Sequence, residues 1–186
     1  YEIPLRLVGS EMCIRDSGDI IRLSQLDEGD PLPWEQVDIP ALCRDIAADL
    51  RDKAEKSQVS LTVEGQDVQA EGVRRLLHET IYNLCDNAIR YNRPGGKVQI
   101  ITARTRDGHC TLTVKDNGIG IPKEAQASVF ERFYRVDKSR SKATGGTGLG
   151  LAIVKHIARI HNARIKLDSA VNEGTIITVI FEPVNS

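Results

Sequence analysis

The chain has 186 residues, with 25 Lys and Arg against 26 Asp and Glu, a formal net charge of -1. That length supports one substantial core, and the near-neutral balance gives no reason to expect a nucleic-acid partner. Four scattered cysteines (Cys13, Cys43, Cys85, Cys110) form no CxxC pair and have no His at metal-ligand spacing, so they read as apolar fillers of a reducing compartment. No apolar run approaches the roughly 18 residues that a membrane span needs. No signal peptide is visible, and the chain reads as a soluble, cytoplasmic piece.

Residues 1–17 carry no clean period. Their segment VGSEMCIRDS resembles a translated sequencing-adapter sequence, so they are set aside as non-native or disordered. From Gly18 to Leu26, Ile20, Ile21, Leu23 and Leu26 make a short amphipathic stub, the expected tail of a longer helix. A linker with Pro31 and Pro33 follows, to residue 37. Asp38 then caps a helix with Pro40 in its first turn, and Ile39, Leu42, Cys43, Ile46, Ala47, Leu50 and Ala54 share one face. Val59, Leu61 and Val63 alternate as a strand, and Val68 to Ala70 is a second short extended piece.

The long helix is expected from about Glu71 to Tyr91, on the stripe Val73, Leu76, Leu77, Ile81, Leu84, Cys85, Ala88 and Ile89. Pro94-Gly95-Gly96 stops it. Lys97 to Arg104 and His109 to Val114 read as strands joined around Asp107-Gly108. Pro122 starts a short helix, with Phe130 and Phe133 beyond it. Residues 137–148 are basic and glycine-rich and read as a mobile loop. A helix from Leu149 to about Ile160 turns Ile153, Val154, Ile157 and Ile160 inward, with Asn162 as its left-handed cap. A hairpin around Asn172-Glu173-Gly174 finishes the chain. The expected fold is α+β: a two-layer sandwich whose mixed, mostly antiparallel sheet carries helices on one face. The main folded unit is expected to run from residue 38 to 186.

Three polar features interrupt this apolar pattern. The strand through Leu112 and Val114 delivers Asp116 into the turn Asn117-Gly118-Ile119-Gly120. A carboxylate can accept from an exocyclic amine there, and glycines let backbone approach a flat base. The same letters also describe an ordinary strand-to-loop turn. On the long helix, Asn83 and Asn87 lie one turn apart, with Glu79 before them and Arg90-Tyr91 after. An amide oxygen is a neutral, hard donor that suits Mg²⁺ already shared by phosphate oxygens. Capping or a place at the solvent edge would explain the pair equally well. Finally, GGTGLGLAIVKHIA (145–158) opens directly into a helix, so its amides can form an anion site. Its spacing matches neither GxxxxGK[ST] nor a strand-borne GxGxxG.

In order and spacing, HETIYNLCDNAIRYN (78–92), DNGIG (116–120), FERFYR (130–135), GGTGLGLAIVKHIA (145–158) and EGT (173–175) resemble the boxes of the histidine-kinase ATP-binding domain. This is the catalytic domain of two-component sensor kinases, in the GHKL superfamily, and the match spans about residues 38–183. The resemblance implies a Bergerat-type fold that binds ATP and Mg²⁺ between the long helix, the Asp116 turn and a glycine lid. Asn87 would ligate Mg²⁺, supported by Asn83. Asp116 would accept from the adenine amine, and Gly118, Gly120 and Ile121 would line the base pocket. Arg90 and Tyr91 would flank the nucleotide. Arg135 would meet the γ-phosphate, as a catalytic group together with Arg90, and Lys138 and Arg140 are further candidates. Gly146, Thr147, Gly148, Leu149 and Gly150 would wrap the phosphates, and Thr178 would reach the adenine edge.

In that family the phospho-acceptor is a His, followed by an acidic residue, on a preceding two-helix dimerisation domain. IIRLSQLDEGD resembles the end of that domain's second helix, and the first helix is absent here. His78, His109, His156 and His161 all fall inside the ATP-binding unit and read as structural. The resemblance thus implies a truncated protein-histidine kinase that binds Mg-ATP without phosphorylating itself. Its implied partners are the acceptor domain of a homodimeric parent and a response-regulator receiver domain. The parent would be cytoplasmic or membrane-anchored. One rival is a nucleotide-sensing module without phosphotransfer. Another is a gyrase or mismatch-repair type ATPase, which needs a glutamate base where this chain has Asn83.

Overall fold

The computed structural model describes residues 32–136 and 146–183. The adapter-like segment, the helical stub and most of the glycine-rich loop lie outside them. The described elements are strand β1 (Glu35–Asp38), helices α1 (Ile39–Asp49) and α2 (Arg51–Lys56), and strands β2 (Ser60–Gly65) and β3 (Gln69–Gly72). The long helix α3 (Arg74–Arg90) follows, then β4 (Lys97–Arg104), β5 (Cys110–Asp116), helix α4 (Gly150–Ile160), β6 (Arg164–Ala170) and β7 (Gly174–Phe181). Five strands form one sheet in the order β2-β4-β5-β7-β6, parallel only between β2 and β4. The remaining two, β1 and β3, pair antiparallel as a separate ribbon.

The two-residue period explains how the sheet presents its faces. Along β5, Cys110, Leu112 and Val114 are buried while Thr111 and Thr113 are half-buried. Opposite them on β7 stand Phe181, Val179 and Ile177. This inner face packs against Ile39, Leu42, Cys43 and Ile46 of α1, the Leu77, Ile81, Leu84, Cys85 and Ile89 stripe of α3, and Val154 and Ala158 of α4. Each such aliphatic side chain contributes about 1.5–3 kcal/mol on burial. The expected two-layer sandwich with helices on one face is therefore the observed architecture. A smaller apolar cluster of Val73, Leu76, Leu149, Ile153 and Ile157 pins the start of α4 to the first half of α3.

Local signals hold where they were expected. The Asp38 side chain accepts from the Ala41 N–H at 2.8 Å, capping α1 over Pro40. Asn162 takes φ 50° just past α4. Burial pushes the Cys43 thiol up to about 12 and the Cys110 thiol to about 11, and raises Cys85 too, in keeping with inert fillers.

Three local expectations are corrected. The helix beginning at Ile39 is not continuous to Ala54 but bends at Leu50 (φ -90°, ψ -1°), which seats both Leu50 and Ala54 in the core. The long helix starts at Arg74 rather than Glu71, because Gln69–Gly72 pairs with Glu35–Asp38. Strand β1 of that ribbon begins before residue 38, the boundary expected from the sequence. Past Pro122 only a 3-10 turn forms, Lys123–Ala125.

Candidate functional site

Asp116 has the same strand parity as Leu112 and Val114, so its side chain turns toward the helices rather than to the open face. At that point the core stripe of α3 has given way to Asn83, Asn87 and Arg90, and sheet and helix part. The result is a cleft of about 1120 Å³, large enough for a nucleotide-sized ligand. Asp116, Ile119, Gly120, Ile121, Asn83, Asn87, Arg90, Tyr91, Arg135, Gly146, Thr147, Gly148 and Gly150 all line it. Residues more than sixty positions apart in the chain thus meet in one cavity.

The deep end is apolar, floored by Val114, Ile177, Leu84 and Ala88. Burial pushes the Asp116 carboxyl above its ordinary range, although the backbone N–H groups of Gly118 and Thr175 partly hold it down. The Gly118 N–H donates to Asp116 Oδ1 at 2.8 Å. The turn is tied down by backbone: the Ile119 N–H donates to the Tyr91 carbonyl at 3.1 Å, and the Asn172 N–H to the Ile119 carbonyl at 2.8 Å. Gly120 adopts φ +70°, and a Cβ there would collide with the Ala170 carbonyl, so the turn closes on β6 only with glycine.

The other end carries charge and amides. Asn83 Nδ2 donates to the Glu79 carbonyl at 2.9 Å, which leaves Oδ1 free of that bond and turned to the cleft. A Cβ built on Gly150 would stand 3.1 Å from Asn83 Oδ1 and 3.6 Å from Asn87 Nδ2, so both amides face the first residue of α4. A Cβ on Gly146 would overlap Arg90 Nη1 and lie 3.3 Å from Arg135 Nη2 and 3.5 Å from Tyr91 Oη. Among the described residues no group of three His, Cys, Asp or Glu could hold a metal. A cation here would rest on amide oxygen and ligand oxygen. The donor set of Asn83 and Asn87 fits a hard ion already carried by phosphates.

Three of the expected residues do not line the cleft. Thr178 has the wrong parity: it faces the open side of the sheet, where its hydroxyl meets that of Thr113 at 3.0 Å. Thr175, paired with Asp116, takes its place in the cleft wall. Counting back by twos from Phe181 would have found this. Leu149 is 1 % exposed and belongs to the apolar cluster beneath α4, on an i, i+4 row with Ile153 and Ile157. Gly118 is buried behind the wall, against the Tyr91 carbonyl and Asn92. Lys138 and Arg140 lie outside the described residues.

Other cleft residues escaped the sequence reading. Asp86 accepts from Arg90 Nη2 at 2.8 Å and forms an ion pair with Lys53 of α2; both Lys53 and Asp86 line the cleft. The i, i+4 spacing of Asp86 and Arg90 was visible in the chain; the reach of Lys53 was not. As for the histidines, His161 is buried with Nε2 accepting from the Val73 N–H at 3.0 Å, and His109 pairs with Glu182 at 3.1 Å.

Comparison with known proteins agrees with this geometry. Residues 72–185 match the family model described as histidine kinase-, DNA gyrase B-, and HSP90-like ATPase. The sensor-like histidine kinase SenX3 of Mycolicibacterium smegmatis is 43 % identical over 164 residues, 87 % of this chain and 42 % of that protein. Sensor histidine kinase RppB of Synechocystis is 35 % identical over 164 residues, 87 % of this chain and 36 % of its own length. The chain thus spans less than half of these curated relatives. A structure of the mycobacterial sensor histidine kinase MprB superposes with a TM-score of 0.70 at 29 % identity, covering 82 % of this chain and all of that one. Full-length ShkA in complex with AMPPNP shares the fold, with a TM-score of 0.76 at 21 % identity, over 90 % of this chain and 35 % of that one. With its cleft, its motifs and a family match over more than half its length, the chain belongs to the histidine kinase-, DNA gyrase B- and HSP90-like ATPases.

Proposed function

We propose that this domain binds Mg-ATP in the cleft and passes the γ-phosphoryl group to a histidine on a separate dimerisation domain of the parent kinase. The observation that carries the reading is the convergence of Asp116 and the Asn83-Asn87-Arg90 row on one cavity. Asp116 accepts from the adenine amino group over an apolar floor. Guanine is disfavoured, since its carbonyl would face a carboxylate. Gly120 and Ile121 line the base, and Tyr91 flanks the nucleotide. Asn87, with Asn83 beside it, would hold Mg²⁺, which when bound would supply positive charge to offset that of the phosphates.

The chemistry then rests on placement and charge. Arg90 and Arg135 meet developing negative charge on the phosphates, and Gly146, Thr147, Gly148 and Gly150 bring backbone to them. An imidazole nitrogen of the acceptor bonds to the γ-phosphorus as the bond to the ADP oxygen breaks. The imidazole proton passes to the acidic residue beside the acceptor, and ADP leaves. The phosphohistidine then supplies a response-regulator receiver domain, in a homodimeric parent whose catalytic part is cytoplasmic. No described helix is long and apolar enough to cross a membrane.

The test is label transfer from γ-labelled ATP, with the acceptor domain of a related kinase supplied in trans. Label should appear on that domain and not on His78, His109, His156 or His161. Label on any of these four would overturn the acceptor assignment, and ATP binding with no transfer to any acceptor would favour a sensing module.

A further inference from the structure

Asp86 and Lys53 have no part in the reading above, yet both face the cleft. Asp86 sits one helical turn before Arg90 and is only 9 % exposed. Its two oxygens are divided: Oδ2 accepts from Arg90 Nη2 at 2.8 Å, and Oδ1 takes the Lys53 ammonium, 33 positions away on α2. The guanidinium of Arg90 is therefore gripped at one terminal nitrogen. Its other, Nη1, lies where a side chain on Gly146 would have to be, beside Arg135 Nη2. An arginine on an exposed helix end samples many rotamers, and fixing one costs side-chain entropy at the moment of binding. A buried carboxylate that holds the fork in advance removes that cost.

Such a grip has a drawback, because a lone carboxylate would cancel the charge that Arg90 brings. Lys53 answers it. With two cations around one anion the trio keeps one net positive charge at the cleft, while Asp86 keeps both oxygens paired. Resting on the ATP-binding reading, we propose that Asp86 is a positioning residue that aims Arg90 at the polyphosphate. Lys53 is its counter-cation and a selectivity element for nucleoside di- and triphosphates over the bare nucleoside.

The sign of one substitution separates this from simple electrostatics. Asp86→Ala removes a negative charge beside the phosphates, so a purely coulombic role predicts tighter ATP binding; positioning predicts weaker binding. The experiment is calorimetric titration of the full 186-residue chain with Mg-ATP, Mg-ADP and adenosine. Asp86→Ala should weaken both nucleotides about tenfold and leave adenosine within about twofold, the loss of one charge-assisted aim. Lys53→Met should weaken them by about threefold, as expected for a half-exposed cation. The double variant should lose less than the product of the two. Asp86→Ala that binds ATP as tightly as the parent, or more tightly, overturns the proposal, and so does equal weakening of all three ligands. If Asp86→Ala does not fold by circular dichroism, Lys53→Met decides: unchanged polyphosphate affinity sinks the idea. A parent chain that binds no ATP at all would instead overturn the nucleotide reading beneath it.

Discussion

The two ends of the cleft are built by different means. At the end proposed for the base, backbone N–H groups hold the Asp116 turn: that of Gly118 donates to the Asp116 carboxylate, those of Ile119 and Asn172 donate to carbonyls, and Gly120 packs closely on Ala170. At the end proposed for the phosphates, long side chains supply the order instead, with Arg90 reaching from α3 and Lys53 from α2 toward Asp86. Backbone pays its ordering entropy once, on folding, whereas free side chains lose theirs again on binding. A flat base, identical in every ligand molecule, suits a prebuilt slot. A flexible polyphosphate suits charges that are held but can adjust.

The largest expected effect lies between the two ends. Asn87→Ala should cut Mg-dependent ATP affinity at least about 100-fold, near 2.7 kcal/mol, with far-ultraviolet circular dichroism unchanged. Parent-like affinity would remove the metal assignment and leave the phosphate end without its organising ligand.

At the base end, Asp116→Asn should weaken ATP by about 1.5–3 kcal/mol, the worth of one hydrogen bond to a charged group. The fold should not suffer. Because burial raises the Asp116 carboxyl above 3.8, its neutral form is the one favoured by folding. That stability is fully present below the unfolded value and is lost as pH rises through the folded one. In urea melts the parent should therefore lose stability with rising pH across the range just above 3.8, and the variant should lack that contribution. A variant both less stable at neutral pH and fully competent for ATP would reverse the roles assigned to this carboxylate.

The smallest effect sharpens the boundary of the site. Thr178→Val removes a hydroxyl pair on the open face, worth roughly 0.2–1 kcal/mol of stability. ATP affinity should stay within about twofold, since each such factor is only a fraction of 1.4 kcal/mol. A clear loss of binding would show that the base end extends through the sheet.

Much of the cleft lining is legible in the chain, and for identifiable reasons. Glycines and polar residues standing where period alone asks for apolar ones mark the Asp116 turn, the Asn83-Asn87 row and the start of α4. For Thr178 and Leu149, periodicity opposes the contacts that the family resemblance implies: a two-residue and a four-residue count turn them away from the cleft. Of the ribbon, only the extended piece at Val68–Ala70 is legible: four residues are too few to mark β1 by alternation, and the pairing partners lie about 34 positions apart.

Local chemistry within this chain determined the element types, the caps, the apolar faces and the residue kinds suited to a base and to phosphates, because each depends on neighbours a few residues away. Only the tertiary structure decided that Lys53 would share Asp86 with Arg90 and that Gly150 would close on Asn83 and Asn87. Those meetings are set by strand register and by how one helix lies on another, quantities that no short stretch of sequence contains.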